Sequence, residues 1–168
     1  MKKNAFFLLL AILLAITTIF VLKKDQSTPN KNSNKIPVSV SFYPLYYFAT
    51  HIAQDKAEIK NITPSGIEPH DYEPTAKEII NIQNSKLLIV NGAGFEPWLD
   101  NLRDELKNVT IVNASEGLTM EKSTEEQVDK NPHVWLDPVL AKTQVEKILQ
   151  GFIKVDPSNK NFYAENAN

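Results

Sequence analysis

The chain has 168 residues, 42% of them apolar and 23% charged, which fits one globular domain with appendages. Its net charge is −2, so nothing in the balance points to nucleic acid as a partner. It has no cysteine, which excludes disulfides, a thiolate metal site, a cysteine nucleophile and a lipid-carrying cysteine.

Lys2 and Lys3 precede an apolar run from Ala5 to Leu22, interrupted only by Thr17 and Thr18. At 18 residues the run is longer than an ordinary signal-peptide core and close to a membrane span. No small-x-small cleavage site is evident, and Lys23 and Lys24 follow directly. Residues 1–24 therefore read as an apolar helix that serves as an uncleaved signal anchor, with a cleaved signal peptide as the rival. Everything beyond is expected outside the cytoplasm, anchored to the cell membrane. Setting aside the four flanking lysines leaves about −6 on the exported part, a mild bias toward cations. Residues 25–35 are polar, contain Pro29 and lack large apolar side chains, as in a flexible linker.

From Ile36 the pattern alternates. "IPVSVSF" predicts a strand, and Pro44 suits the first turn of a helix carrying Leu45, Phe48, Ala49, Ile52 and Ala53 at helical spacing. "AEIKNIT" predicts a second strand that runs into "GIEPHDYEP". Ala76, Ile79, Ile80, Gln83 and Leu87 mark the next helix. "KLLIVNG" is a continuous apolar run, as in a strand covered on both faces. Phe95, Trp98, Leu99, Leu102 and Leu106 form another helical stripe, and "VTIVNAS" predicts a fourth strand. After a polar stretch comes "NPHVWLDP", then a helix with Val145, Ile148, Leu149, Phe152 and Ile153 on one face. Strands alternating with helices imply an α/β fold: a four-stranded, mostly parallel sheet with helices on both faces.

In such sheets ligands bind beyond the carboxyl ends of the strands. His70 follows the second strand, and His133 follows the fourth strand and its long loop, so topology can bring both to one edge. A neutral imidazole suits zinc and is acceptable to manganese or iron. Pro69 and Pro132 stiffen the backbone beside each ring. Asp71, Glu73 and Asp137 are candidate acceptors for a ring N–H, which would fix the tautomer. On the residues alone, a solvated loop histidine is an equally good reading of each. His51 lies off the apolar stripe of its helix and reads as solvated rather than as a ligand.

Three segments, "GIEPHDYEPTAKEIINIQNSKLLIVNGAGFEPWL" and within it "NGAGFEPW", then "NPHVWLDP", closely resemble the zinc and manganese solute-binding proteins of bacterial ABC transporters, the cluster that includes the metal-binding adhesin lipoproteins. The resemblance extends from about Pro37 to the last residue. It implies a receptor that captures a divalent metal outside the membrane and passes it to an ABC permease, with His70 and His133 as the two ligands of the N-terminal lobe. Residues 36–155 would be that lobe, one of two in the family. Zinc is favoured over manganese on the wording of the first motif. A surface adhesin on the same fold is the alternative, and a metal-dependent hydrolase is a weaker one. The resemblance does not point to an enzyme. No HExxH helix, Ser-His-Asp set or glycine-rich phosphate loop is visible in the sequence.

The sequence departs from the family pattern in three ways. It has no lipobox cysteine. Ser115 to Asn131 is acidic and contains no histidine, whereas zinc members often carry a histidine-rich loop there. It also reaches only the opening of the helix that joins the family's two lobes, residues 156–168, so the chain reads as a fragment. On that reading the segment from about Ser158 lacks its packing partner and is expected to be poorly anchored.

Overall fold

The computed structural model describes residues 35–122 and 130–168. The apolar helix and linker expected at the N-terminus lie outside these residues. Four strands occur where the pattern places them: β1 Ile36–Val40, β2 Ala57–Asn61, β3 Leu87–Val90 and β4 Thr110–Asn113. They form one sheet in the order β2-β1-β3-β4, and every pairing is parallel. The helices are α1 Tyr43–Ala53, α2 Ala76–Gln83, α3 Trp98–Leu102, α4 Pro138–Val155 and α5 Lys160–Asn166.

The two faces of the sheet are covered by different helices. Alternation along β3 decides which residue goes where, because successive side chains leave a strand on opposite sides. Leu87 and Ile89 join Val38 and Val40 against Leu45, Ile52, Ile148 and Phe152 from α1 and α4. Leu88 and Val90 face the other way, onto Ile82, Trp98, Leu99 and Leu102 from α2 and α3. Gly151 on α4 lets that helix approach the sheet closely: a methyl group there would stand 2.5 Å from Val112 Cγ2.

Two helices differ from the sequence pattern. In α2 the fully buried residue is Ile82, while Ile80 is 56% exposed. The third stripe does not begin at Phe95. Gly92, Ala93 and Gly94 all take positive φ (81°, 54° and 82°), and Pro97 caps the helix, so α3 starts only at Trp98. Phe95 is therefore a loop residue, buried at 2% exposure.

The expectation that the last segment is loosely held is corrected here. Tyr163 of α5 is fully buried in the core beside Phe152, with ring centroids 5.2 Å apart. Asp156, at the break between α4 and α5, accepts hydrogen bonds from Ser158 Oγ (2.6 Å), Asn159 Nδ2 (2.7 Å) and Tyr163 Oη (2.6 Å). Asn166 Nδ2 donates to the Ile52 carbonyl at 3.0 Å, tying α5 to α1. The segment docks on its own lobe because Tyr163 packs into the core cluster that holds Leu45 and Ile52 of α1 and Ile148 and Phe152 of α4.

Burial disfavours the Asp156 charge, but the three hydrogen bonds outweigh it and, with Lys86, hold the carboxyl below its ordinary value of 3.8. The unfolded chain therefore takes up more protons than the folded one as pH falls. The Asp156 contribution is present above that ordinary value and is lost as pH falls through the depressed one. Asp156→Ala should lower the urea midpoint at about pH 7, and the gap to wild type should narrow at about pH 3. A gap that stays constant with pH would show that the clamp does not depend on the charge.

Candidate metal centre

The strand order places a switch point between β1 and β3, since the connection from β1 to β2 runs to one side and the later strands lie on the other. The candidate site stands above it. Phe42, just after β1, and Phe95, after β3, pack with centroids 4.5 Å apart, and Trp135 closes the wedge at 4.6 Å from Phe42 and 5.3 Å from Phe95. The two histidine loops come in over these three rings. His70 lies edge-on to Phe95 at 4.4 Å, and His133 is 5.2 Å from Trp135.

His70 Nε2 and His133 Nε2 are 3.4 Å apart. Both rings are partly buried. Two nitrogens bound at roughly 2.0–2.1 Å to one tetrahedral ion would stand about 3.3–3.4 Å apart. The facing nitrogens thus already have the separation that a shared ion needs. Among the described residues no group of three or more His, Asp or Glu side chains is assembled to hold an ion.

Each ring is held by its own loop. His70 sits in a single 3-10 turn, Pro69–Asp71, whose preceding Glu68 accepts from the His70 N–H at 3.4 Å. The turn is tied to α2 by Glu78: its Oε2 accepts from Tyr72 Oη (2.8 Å), Thr75 N (2.7 Å) and Thr75 Oγ1 (2.7 Å), which includes half of a capping box. Burial, then the Glu78 carboxylate, pushes the Tyr72 hydroxyl up to about 12, so this bond persists through the neutral range. His133 has a different anchor. Asn131 Oδ1 accepts from His133 N (3.1 Å) and from His133 Nδ1 (2.8 Å). With Nδ1 carrying the proton, Nε2 presents its lone pair toward His70.

None of the three carboxylates expected to orient the rings does so among the described contacts. Asp137 caps α4 instead, accepting from Val139 N (2.7 Å) and Leu140 N (3.2 Å). Asp71 and Glu73 are exposed and make no hydrogen bond to either ring. Asn131, which was not singled out, takes that place. Its signal was its position two residues before the ring, the spacing of an Asx turn. His51 is exposed near the far end of α1, with Nδ1 on the Tyr47 carbonyl at 2.8 Å and its ring 4.1 Å from that of Tyr47.

The family described as zinc-uptake complex component A, periplasmic (ZnuA), matches residues 38–168. The chain belongs to this family. It is 34% identical over 156 residues to the high-affinity zinc uptake system protein ZnuA of Bacillus subtilis (strain 168), covering 84% of this chain and 49% of that protein. The crystal structure of the metal-dependent lipoprotein YcdH from Bacillus subtilis superposes with a TM-score of 0.73 at 38% identity, over 79% of this chain and 49% of that one. A Mn-bound periplasmic metal binding protein from Candidatus Liberibacter asiaticus superposes with a TM-score of 0.69 at 27% identity, over 79% of this chain and 50% of that one. The chain spans about half the length of the curated relatives it matches.

The ZnuA-family segment "NGAGFEPW" supplies the floor of the site. Glu96 is 8% exposed, and its carboxylate accepts from Asn91 N (2.7 Å) and Gly92 N (2.9 Å) across the left-handed turn. Burial pushes this carboxyl up. Ser41 and the backbone N–H groups of Asn91, Gly92 and Glu96 itself pull the other way without cancelling the rise, and among the described residues Ser41 Oγ makes no hydrogen bond of standard geometry. Gly92 is required on two counts: its φ is 81°, and a methyl group there would collide with Asn113.

Glu96→Gln keeps one acceptor oxygen but turns an amide N–H toward the second backbone N–H. It should destabilise the chain by about 1–3 kcal/mol. The measurement is the thermal unfolding midpoint. A midpoint equal to that of wild type would show that the turn holds without the carboxylate.

Proposed function

We propose that this chain captures a divalent metal ion outside the cytoplasm through His70 and His133 and delivers it to an ABC permease in the membrane, with zinc as the preferred ion. The observation that carries the reading is the 3.4 Å between the two facing Nε2 atoms. That separation suits a tetrahedral ion and neutral nitrogen donors, a combination that favours zinc over the oxygen-rich octahedral shells of manganese. The names of relatives support it: one is a zinc uptake protein, and others are zinc-binding lipoproteins. The manganese-bound relative makes manganese the alternative cargo.

The ring nitrogens fill two positions of the ion's shell. Water or side chains from outside the described residues fill the others. The proposal assigns the protein a receptor role, not an enzyme's. The fixed rings bind and orient the ion, and the aromatic wedge beneath them keeps water from its underside.

His70→Ala and His133→Ala should each remove most zinc binding in calorimetry on the purified protein, while the unfolding midpoint of the metal-free chain shifts by only a few degrees. Neither ring belongs to the two core clusters. Zinc binding unchanged in both variants would defeat the reading. Two imidazoles alone give a weak site, since a closed four-ligand shell gains from each preorganised ligand. Extending the chain by the remaining half of its relatives' length should therefore raise zinc affinity by orders of magnitude. Equal affinity would place the full ligand set within these residues.

A further inference from the structure

We propose that Asn91 is a positioning residue for the metal centre: from beneath the loops it fixes the Pro132 carbonyl and thereby sets the separation of the His70 and His133 rings. This rests on the metal-capture reading above.

Asn91 directly follows β3 and is fully buried. Its side chain is saturated. Nδ2 donates to Pro132 O at 2.9 Å and to Gly92 O at 3.3 Å. Oδ1 accepts from Gln144 Nε2 at 2.9 Å and from Ser115 Oγ at 3.3 Å. One side chain thus bonds to the turn after β3, the segment after β4, helix α4 and the histidine loop.

The bond to Pro132 falls where it controls a ring. Pro132 O also accepts the Val134 N–H at 2.8 Å, closing a three-residue turn with His133 at its centre, φ −79° and ψ 40°. The direction of that carbonyl fixes the plane of the turn, and the plane aims the His133 side chain. Proline at 132 cannot donate, so the carbonyl is the peptide group through which this residue can be held.

Asn91 also acts toward the other ring. Its own N–H binds Glu96, which closes the turn that carries Phe95, and Phe95 packs edge-on against His70. The two histidines lie 63 residues apart in sequence. Asn91 is bonded toward both, through its side chain to the His133 loop and through its backbone N–H to the turn beneath His70, and only the side-chain bonds depend on its being an asparagine. Gln144 keeps the amide in the required orientation, with Nδ2 upward and Oδ1 down. It does so although its own Oε1 is buried without a partner among the described residues, a cost that a mere filler of space would not require.

The test compares Asn91→Ala in two backgrounds. In the otherwise wild-type chain, zinc affinity measured by competition with a chromophoric chelator should fall about tenfold or more, the size expected when support behind a ligand is lost. In a His70→Ala chain the same change should leave the residual affinity nearly unaltered, since no second ring remains to be misplaced. A loss of equal size in both backgrounds would mean general loosening and would overturn the proposal. A metal-free readout separates this inference from the capture reading. The ring nitrogen resonances of His133 in the metal-free protein should shift or broaden on Asn91→Ala, which removes the bond to the Pro132 carbonyl and leaves the backbone bond to Glu96 in place. Unchanged resonances in a folded variant would overturn the positioning role and leave metal capture standing. Ring changes in the Asn91→Ala variant together with no zinc binding by the wild-type chain would fail the capture reading alone. If Asn91→Ala does not fold, Gln144→Leu carries the same comparison. It frees Asn91 Oδ1 while leaving the Pro132 partner in place, and should act in the same direction with smaller effect.

Discussion

The Glu96 carboxylate, sealed under the loop that leaves β3, is the constraint on which the site depends. A buried carboxylate is unfavourable unless its oxygens are satisfied. Here the backbone N–H groups of Asn91 and Gly92 satisfy them. To reach the carboxylate, the chain must turn through three left-handed residues. That turn fixes Phe95 over the end of β1 and leaves the Asn91 side chain free to bond upward. The histidine loops then have a floor of defined shape. Without the turn, His70 and His133 would remain at one edge of the sheet, but nothing would set their spacing to a fraction of an ångström.

Loops from opposite sides of the sheet meet here because of the strand order. β2 lies at one edge and β4 at the other, with the β1/β3 switch point between them. The loop after β2 must lean inward to reach the switch point, and the Tyr72–Glu78 bond holds it in that lean. The loop before α4 leans the opposite way, and Asp137 holds it by capping that helix. A carboxylate therefore joins each loop to its helix: Glu78 reaches back from α2, and Asp137 reaches forward onto α4. Asp137 read as an orienting group for a histidine because aspartate after a ring is a common partner. A helix N-terminus four residues on competes for the same oxygens and wins, since it offers two N–H groups at once.

The sheet was largely legible in the sequence. Four strands, their parallel sense and the edge that carries both histidines follow from apolar runs and their alternation with helical stripes. Periodicity cannot report a positive φ, so Phe95 read as part of a helix although the glycines beside it hold it in a loop. Asn91, Asn131 and Gln144 were illegible for a different reason. Amides carry no charge and no distinctive spacing, and their value appears only once three distant segments converge. The anchoring of the segment from about Ser158 was illegible for a related reason. An aromatic residue late in the chain gives no sign of which surface it covers, and here it covers its own lobe through the Asp156 clamp.

The choice of an amide behind His133 bears on what the site can do. A carboxylate there would fix the same tautomer and also make the ring a stronger donor, deepening the hold on an ion. Asn131 Oδ1 fixes the tautomer through a 2.8 Å bond but brings no negative charge. A resident ion is best served by the first arrangement. Cargo that must be released to a second protein is better served by a ring that is rigid in direction and only moderate in basicity. The contacts made to the rings themselves are neutral, an amide and aromatic faces, while the carboxylates of Glu68, Glu78 and Asp137 act on the backbone and loops behind them. On the proposed reading, the site separates the geometry that selects an ion from the charge that would retain it.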